Sequence, residues 1–175
     1  MLTATYSLVT ISAEQKNSRS ILSRLQQTLR SSLDKIKGSD LGGIRAALDK
    51  LLQFDQYWHL RKMEIVVIPA IRGRTREVDA VLEELECMSA KGMAMLRTAQ
   101  EHLRGALTQG SLRLQELLRS LEGYCENLWL RLVKEETELL PLLKRSLTSE
   151  QWFPIATRFL SDAAHAPRPS QPRLD

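Results

Sequence analysis

Tyr57-Trp58-His59-Leu60-Arg61-Lys62-Met63-Glu64-Ile65-Val66-Val67-Ile68-Pro69 aligns with Trp129-Leu130-Arg131-Leu132-Val133-Lys134-Glu135-Glu136-Thr137-Glu138-Leu139-Leu140-Pro141 at an offset of 72 residues. Leu60/Leu132, Lys62/Lys134, Glu64/Glu136 and Pro69/Pro141 recur at matched places. Neither stretch alternates as a strand would, and the apolar spacing of three and four around each is that of an amphipathic helix. A proline near the end of each predicts kinked or loosened last turns. The chain therefore reads as two related helical hairpins.

Working outward, Ile11, Ile21, Leu22, Leu25, Leu29, Leu33 and Ile36 mark a first helix from about 4 to 37, stopped by Lys37-Gly38-Ser39-Asp40 and Gly42-Gly43. The first repeat lies in a second helix, about 41 to 71, that carries Leu48, Leu51, Leu52, Trp58, Met63 and Val67 and ends at Arg72-Gly73. A third begins near Thr75, with Glu77 and Asp79 favouring its N-terminus, and runs to Gln109-Gly110. The second repeat lies in a fourth helix, from Ser111 to about 147, and Thr148-Ser149-Glu150 opens a short fifth containing Trp152, Phe153, Ile155 and Phe159. Short connections between long helices leave neighbours antiparallel. The fold class expected is all-α: an up-down-up-down four-helix bundle with a short fifth C-terminal helix covering one end or edge.

The 175 residues suit one domain with a sizeable core. We expect the bundle to fill 1–163 and the Pro-rich segment 164–175 to be a disordered tail. Hydrophobic residues at 43% and charged residues at 26% are ordinary globular values. No run approaches a membrane span, and the N-terminal residues lack the basic and apolar regions of a signal peptide. Cys87 and Cys125 have neither metal-ligand nor redox spacing and read as reduced residues of a cytoplasmic protein. The net charge of +4 is spread over helix ends rather than gathered with aromatics, so neither a specific nucleic acid nor a membrane is expected as partner. A protein partner stays unnamed, and the oligomeric state is open.

Helix lengths, the duplicated ending with proline and the short trailing helix resemble the hemerythrin-like, HHE cation-binding domains over about 4–147. The resemblance implies a bundle that holds two irons between histidines and bridging carboxylates, with His-x-x-x-Glu on the second and fourth helices. This sequence departs from that pattern. His59 stands at the histidine position of the second helix, but Met63 replaces the glutamate, and Glu64 is one residue further, rotated by about 100°. The fourth helix keeps Glu135 and has Arg131 for its histidine; the first has Glu14-Gln15, and the third Lys91-Gly92. His102 lies on the order of 20 Å from His59 along the bundle axis, too far to share a metal, and His165 falls in the tail.

The metal-ligand remnants are therefore His59, Glu64 and Glu135, and no complete set of ligands is assigned. His59 is expected to be a hydrogen-bonded core histidine. Gln15, Lys91, Arg131 and Glu135 are expected to form a polar cluster in place of the site, with Arg131 and Glu135 paired four residues apart. No nucleophile, base and orienting set and no phosphate loop is present, so no enzyme and no cofactor are expected. The leading function is a non-catalytic module for interaction, regulation or scaffolding; the alternative is a non-haem iron protein sensing dioxygen, nitric oxide or redox state through an atypical site.

Overall fold

The computed structural model describes residues 2–35, 41–109 and 111–165. Helix α1 is Leu2–Lys35 and α2 is Leu41–His59, followed by a π-helical turn Met63–Val67 and a short α3, Ile68–Ile71. Helices α4 (Arg76–Gln109) and α5 (Ser111–Lys134) come next, then a second π turn, Glu135–Leu139, with α6 (Leu140–Ser146) and α7 (Ser149–His165). Among the described residues every element is helical. Helices α1, α2, α4 and α5 each touch two others in the order of a closed ring, and α7 packs against α1 and the first π turn. The residues expected to stop the first helix at 38–40 lie outside the described residues; of the tail expected at 164–175, Ala164 and His165 instead end α7, and 166–175 lie outside the described residues.

The second and fourth helices are each interrupted, and in matched places. Pro69 and Pro141 have no N–H for the carbonyl four residues back, at Ile65 and Thr137, and each ring crowds that carbonyl. The backbone widens one turn earlier: Ile68 N–H bonds to the Met63 carbonyl and Leu140 N–H to the Glu135 carbonyl, five residues back. The two π turns stand at the same 72-residue offset as the sequence repeat, so the duplication extends to the backbone defect itself. Such turns often mark functional sites.

The first half carries a further break. At Leu60 and Arg61 the backbone tightens, with N–H groups bonding to Tyr57 and Trp58 three residues back. The N–H groups of Lys62 and Met63 leave the helix ladder and donate to the Glu14 carboxylate at 2.8 and 3.2 Å. Glu14 thus acts from α1 as a cap on another element, where a fresh helical N-terminus favours negative charge.

The other ends follow local rules. Gly73, at φ +75°, closes the end of α3 in a left-handed conformation that side chains disfavour, and its N–H donates to Asp79 Oδ1 at 2.8 Å. Thr75 Oγ1 accepts from Val78 N–H at 3.1 Å and opens α4. Thr148 and Gln151 cap one another reciprocally at the start of α7.

Two apolar clusters fill the bundle. One gathers Leu22, Leu25, Ile44, Leu51, Trp58, Leu96, Leu121, Leu128 and Leu132. The other gathers Ile11, Met63, Val67, Leu82, Leu139, Leu143, Trp152 and Phe159. Along α1, α5 and the second helix the clusters are separated by buried polar residues: Gln15 and Ser18, Arg131 and Glu135, and Arg61. No helix among the described residues is long and apolar enough to cross a membrane.

Phe159 is fully buried, with Lys62 Nζ 5.3 Å from its ring, whereas Phe153 is 62% exposed. Phe159→Ala should lower stability by about 3–5 kcal/mol, and Phe153→Ser should stay within about 0.5 kcal/mol of the parent. Urea midpoints check both, and equal effects would mean that α7 does not complete the core. Cys87 is exposed and Cys125 buried; burial, with Glu122 adding, pushes the Cys125 thiol up to about 12. A disulfide-exchange reagent at pH 8 should therefore titrate Cys87 quickly and Cys125 only after denaturant is added.

Candidate functional site: a buried ionic layer

Glu135 begins the second π turn and its side chain is completely buried. An ionised carboxylate there needs close compensation. Arg61, also completely buried, supplies it with a two-pronged contact: Nη2 donates to Oε1 at 2.7 Å and Nη1 to Oε2 at 3.1 Å. Gln15 Nε2 donates to Oε2 at 3.3 Å from α1. Arg61 reaches inward from the tightened turn after α2, and its guanidinium carbon lies 3.6 Å from the centroid of the Trp58 ring. A guanidinium suits this place because its planar fork matches a carboxylate while its flat face stacks on indole.

A second pair interlocks with the first. Arg131 Nη2 donates to Glu64 Oε1 at 2.6 Å, and Arg61 Nη2 donates to the same oxygen at 2.9 Å. Arg131 Nη1 donates to Ser89 Oγ on α4. Two cations and two carboxylates meet, so the layer is formally neutral. Burial by itself would lower the Arg61 pKa, but the charges and hydrogen bonds of Glu135 and Glu64 raise it above the usual arginine value. Arg61 therefore stays charged wherever the protein is folded. The fit has a cost: the Nε–H groups of Arg61 and Arg131 and the indole N–H of Trp58 are buried without a hydrogen bond among the described residues.

The structure brings Gln15, Arg131 and Glu135 together, with their partners differently distributed than expected. Arg131 Nε is 3.5 Å from Glu135 Oε1, an ion-pair distance, but its shortest carboxylate contact is Glu64, and the chief partner of Glu135 is Arg61. Lys91 is exposed and lies outside the layer. At that level α4 turns Ser89 and Gly92 toward α5 instead, and a Cβ on Gly92 would come within 3.0 Å of Asn127 Nδ2.

His59 is not a core histidine. Its side chain is 48% exposed, 3.6 Å from Asp55 Oδ2. Asp55 Oδ1 in turn accepts from Tyr124 Oη at 2.8 Å, and burial, reinforced by Asp55, raises the Tyr124 pKa. Met63 packs into the second apolar cluster. Glu64, expected to be rotated away, faces the layer, because the tightened turn at Leu60–Arg61 and the π turn after it re-phase the chain. Sequence reasoning missed Arg61, Ser89 and the capping role of Glu14. One available signal was Arg61-Lys62-Met63-Glu64, an opposite-charge pair at i,i+3 directly before the apolar run Ile65-Val66-Val67-Ile68, since arginine is seldom found inside without a carboxylate.

A metal centre needs ligands with free lone pairs, and a guanidinium has none. Both inward carboxylates are engaged by arginines, the nearby histidine faces outward, and His102 is held 3.2 Å from Glu116. No group of three or more His, Cys, Asp or Glu among the described residues could hold a metal ion. The residues of this layer do not fit a di-iron centre.

Comparison with protein families gives a match over residues 10–143 to the model described as Hemerythrin HHE cation binding domain. Comparisons with curated proteins and with solved structures give no match.

Removing one partner of the central pair should expose its energetics. Glu135→Ala leaves Arg61 without its main partner and should cost about 3–5 kcal/mol, whereas Arg61→Leu combined with Glu135→Leu should be neutral or stabilising by about 1–4 kcal/mol, Glu64 and Arg131 keeping one another. Urea midpoints for parent, singles and double check this. Single-mutant losses under about 0.5 kcal/mol, the range of exposed pairs, would contradict a buried ionic layer.

Proposed function

The chain belongs to the hemerythrin HHE cation-binding family, and from that premise we propose that it is a non-catalytic member whose ionic layer stands in place of the di-iron site. The observation that carries this reading is the fully buried Arg61–Glu135 pair. In it a permanent cation engages the carboxylate that the family pattern would offer to metal. A positive charge of that kind repels a dication and has no lone pair with which to bind one.

A bundle without metal chemistry acts through its surface. Leu60 and Ile65, five residues apart, are 70% and 48% exposed, and Leu130 is 52% exposed. Such residues suit a protein-contact role in regulation or scaffolding more readily than a reaction. We place the protein in the cytoplasm on its pair of unbridged cysteines.

The test is metal content and absorption of protein produced in iron-rich medium. We expect colourless protein with iron far below one equivalent per chain, and thermal stability that chelator does not change. Two irons per chain, or near-ultraviolet charge-transfer bands that vanish with chelator, would overturn the proposal.

A further inference from the structure

The seam between α2 and α4, away from the ionic layer, contains a cleft of about 390 Å³. Leu52 on its wall is nine residues from Arg61, roughly 14 Å along a helix. Leu48, Leu52 and Leu103 form an apolar lining, and Arg45 and Arg104 stand on the two sides. Leu52 and Leu103 are only partly buried although they pack against the first apolar cluster, so their carbon faces the cleft.

Among the described residues the two arginines carry no carboxylate partner, unlike those that tie the bundle's helices together. Arg19, Arg61, Arg72, Arg131, Arg145 and Arg158 are each paired with a carboxylate. Arg45 and Arg104 are exposed and, among the described residues, have no ion pair or hydrogen bond. Asp49 lies on the same wall, four residues after Arg45, without pairing to it. Two guanidiniums and one carboxylate leave the cleft one positive charge, over a floor of leucine.

We propose that this cleft binds a free fatty carboxylate of medium chain length, its chain on Leu48, Leu52 and Leu103 and its head between Arg45 and Arg104. The volume falls in the range of small-ligand sites, which are mostly apolar with a few polar groups that fix orientation. The head group is specified by the guanidinium fork, which receives a carboxylate through two parallel hydrogen bonds, and the single net charge matches a monoanion.

Calorimetric titration of the full chain with octanoate, decanoate and dodecanoate below their micelle concentrations tests the idea, with dodecanol and butyrate as comparators. We expect one site per chain and affinity rising about threefold per added methylene. Arg45→Glu and Arg104→Glu should each weaken dodecanoate at least tenfold, Asp49→Asn should tighten it, and Arg145→Glu at the other end of the bundle should leave it unchanged. All four positions are exposed, so circular dichroism should match the parent. Failure to bind, dodecanol binding as tightly as dodecanoate, or an equal loss in Arg145→Glu would overturn the proposal.

Discussion

A carboxylate and a guanidinium, both sealed from water in the middle of a leucine core, constrain nearly everything around them. Desolvating Arg61 and Glu135 is costly, and their attraction offsets the cost only if each finds the other in good geometry and the remaining polar atoms are satisfied. The rest of the layer follows from that demand. Gln15 donates to Glu135 Oε2 beside Arg61, Glu64 accepts the remaining reach of Arg61, Arg131 neutralises Glu64, and Ser89 takes the other arm of Arg131. The backbone conforms as well. Arg61 points inward because the chain tightens after α2, and that turn is tolerated because Glu14 takes up the two N–H groups it releases.

The bundle was legible from the chain because its signals are redundant. The apolar stripes, the stops at Gly73 and Thr75, the Thr148 cap and the paired Pro69 and Pro141 each specify the same helices, and the 72-residue repeat ties the two halves together. A proline near a helix end predicts a kink; here the backbone answers with a widened turn one step upstream. That outcome depends on how each helix is packed, which periodicity does not encode.

The layer was legible only in part, for a physical reason. Gln15, Arg131 and Glu135 lie on uninterrupted helical phase, so counting residues from the family pattern finds them. Arg61, Glu64 and His59 lie around a break in that phase. One tightened turn and one π turn shift which side chain faces inward, so His59 and Arg61 exchange the places that a regular helix would give them. Lys91 errs for the complementary reason: α4 is regular there, and its inward positions are Ser89 and Gly92, the small residue admitting Asn127 from α5.

The polar layer also divides the interior into two apolar compartments, the first built chiefly from leucines and the second from leucine, isoleucine and valine, with aliphatic residues recurring three and four apart. Stripes of that kind are poor at telling one axial alignment from another: a helix displaced by one turn, about 5.4 Å, still lays aliphatic carbon on aliphatic carbon. Such a displacement would carry Arg61 or Glu135 into hydrocarbon and strand a charge. The ionic layer thus serves as a registration mark, trading stability for a single permitted alignment, the best-attested use of buried charge in helical assemblies.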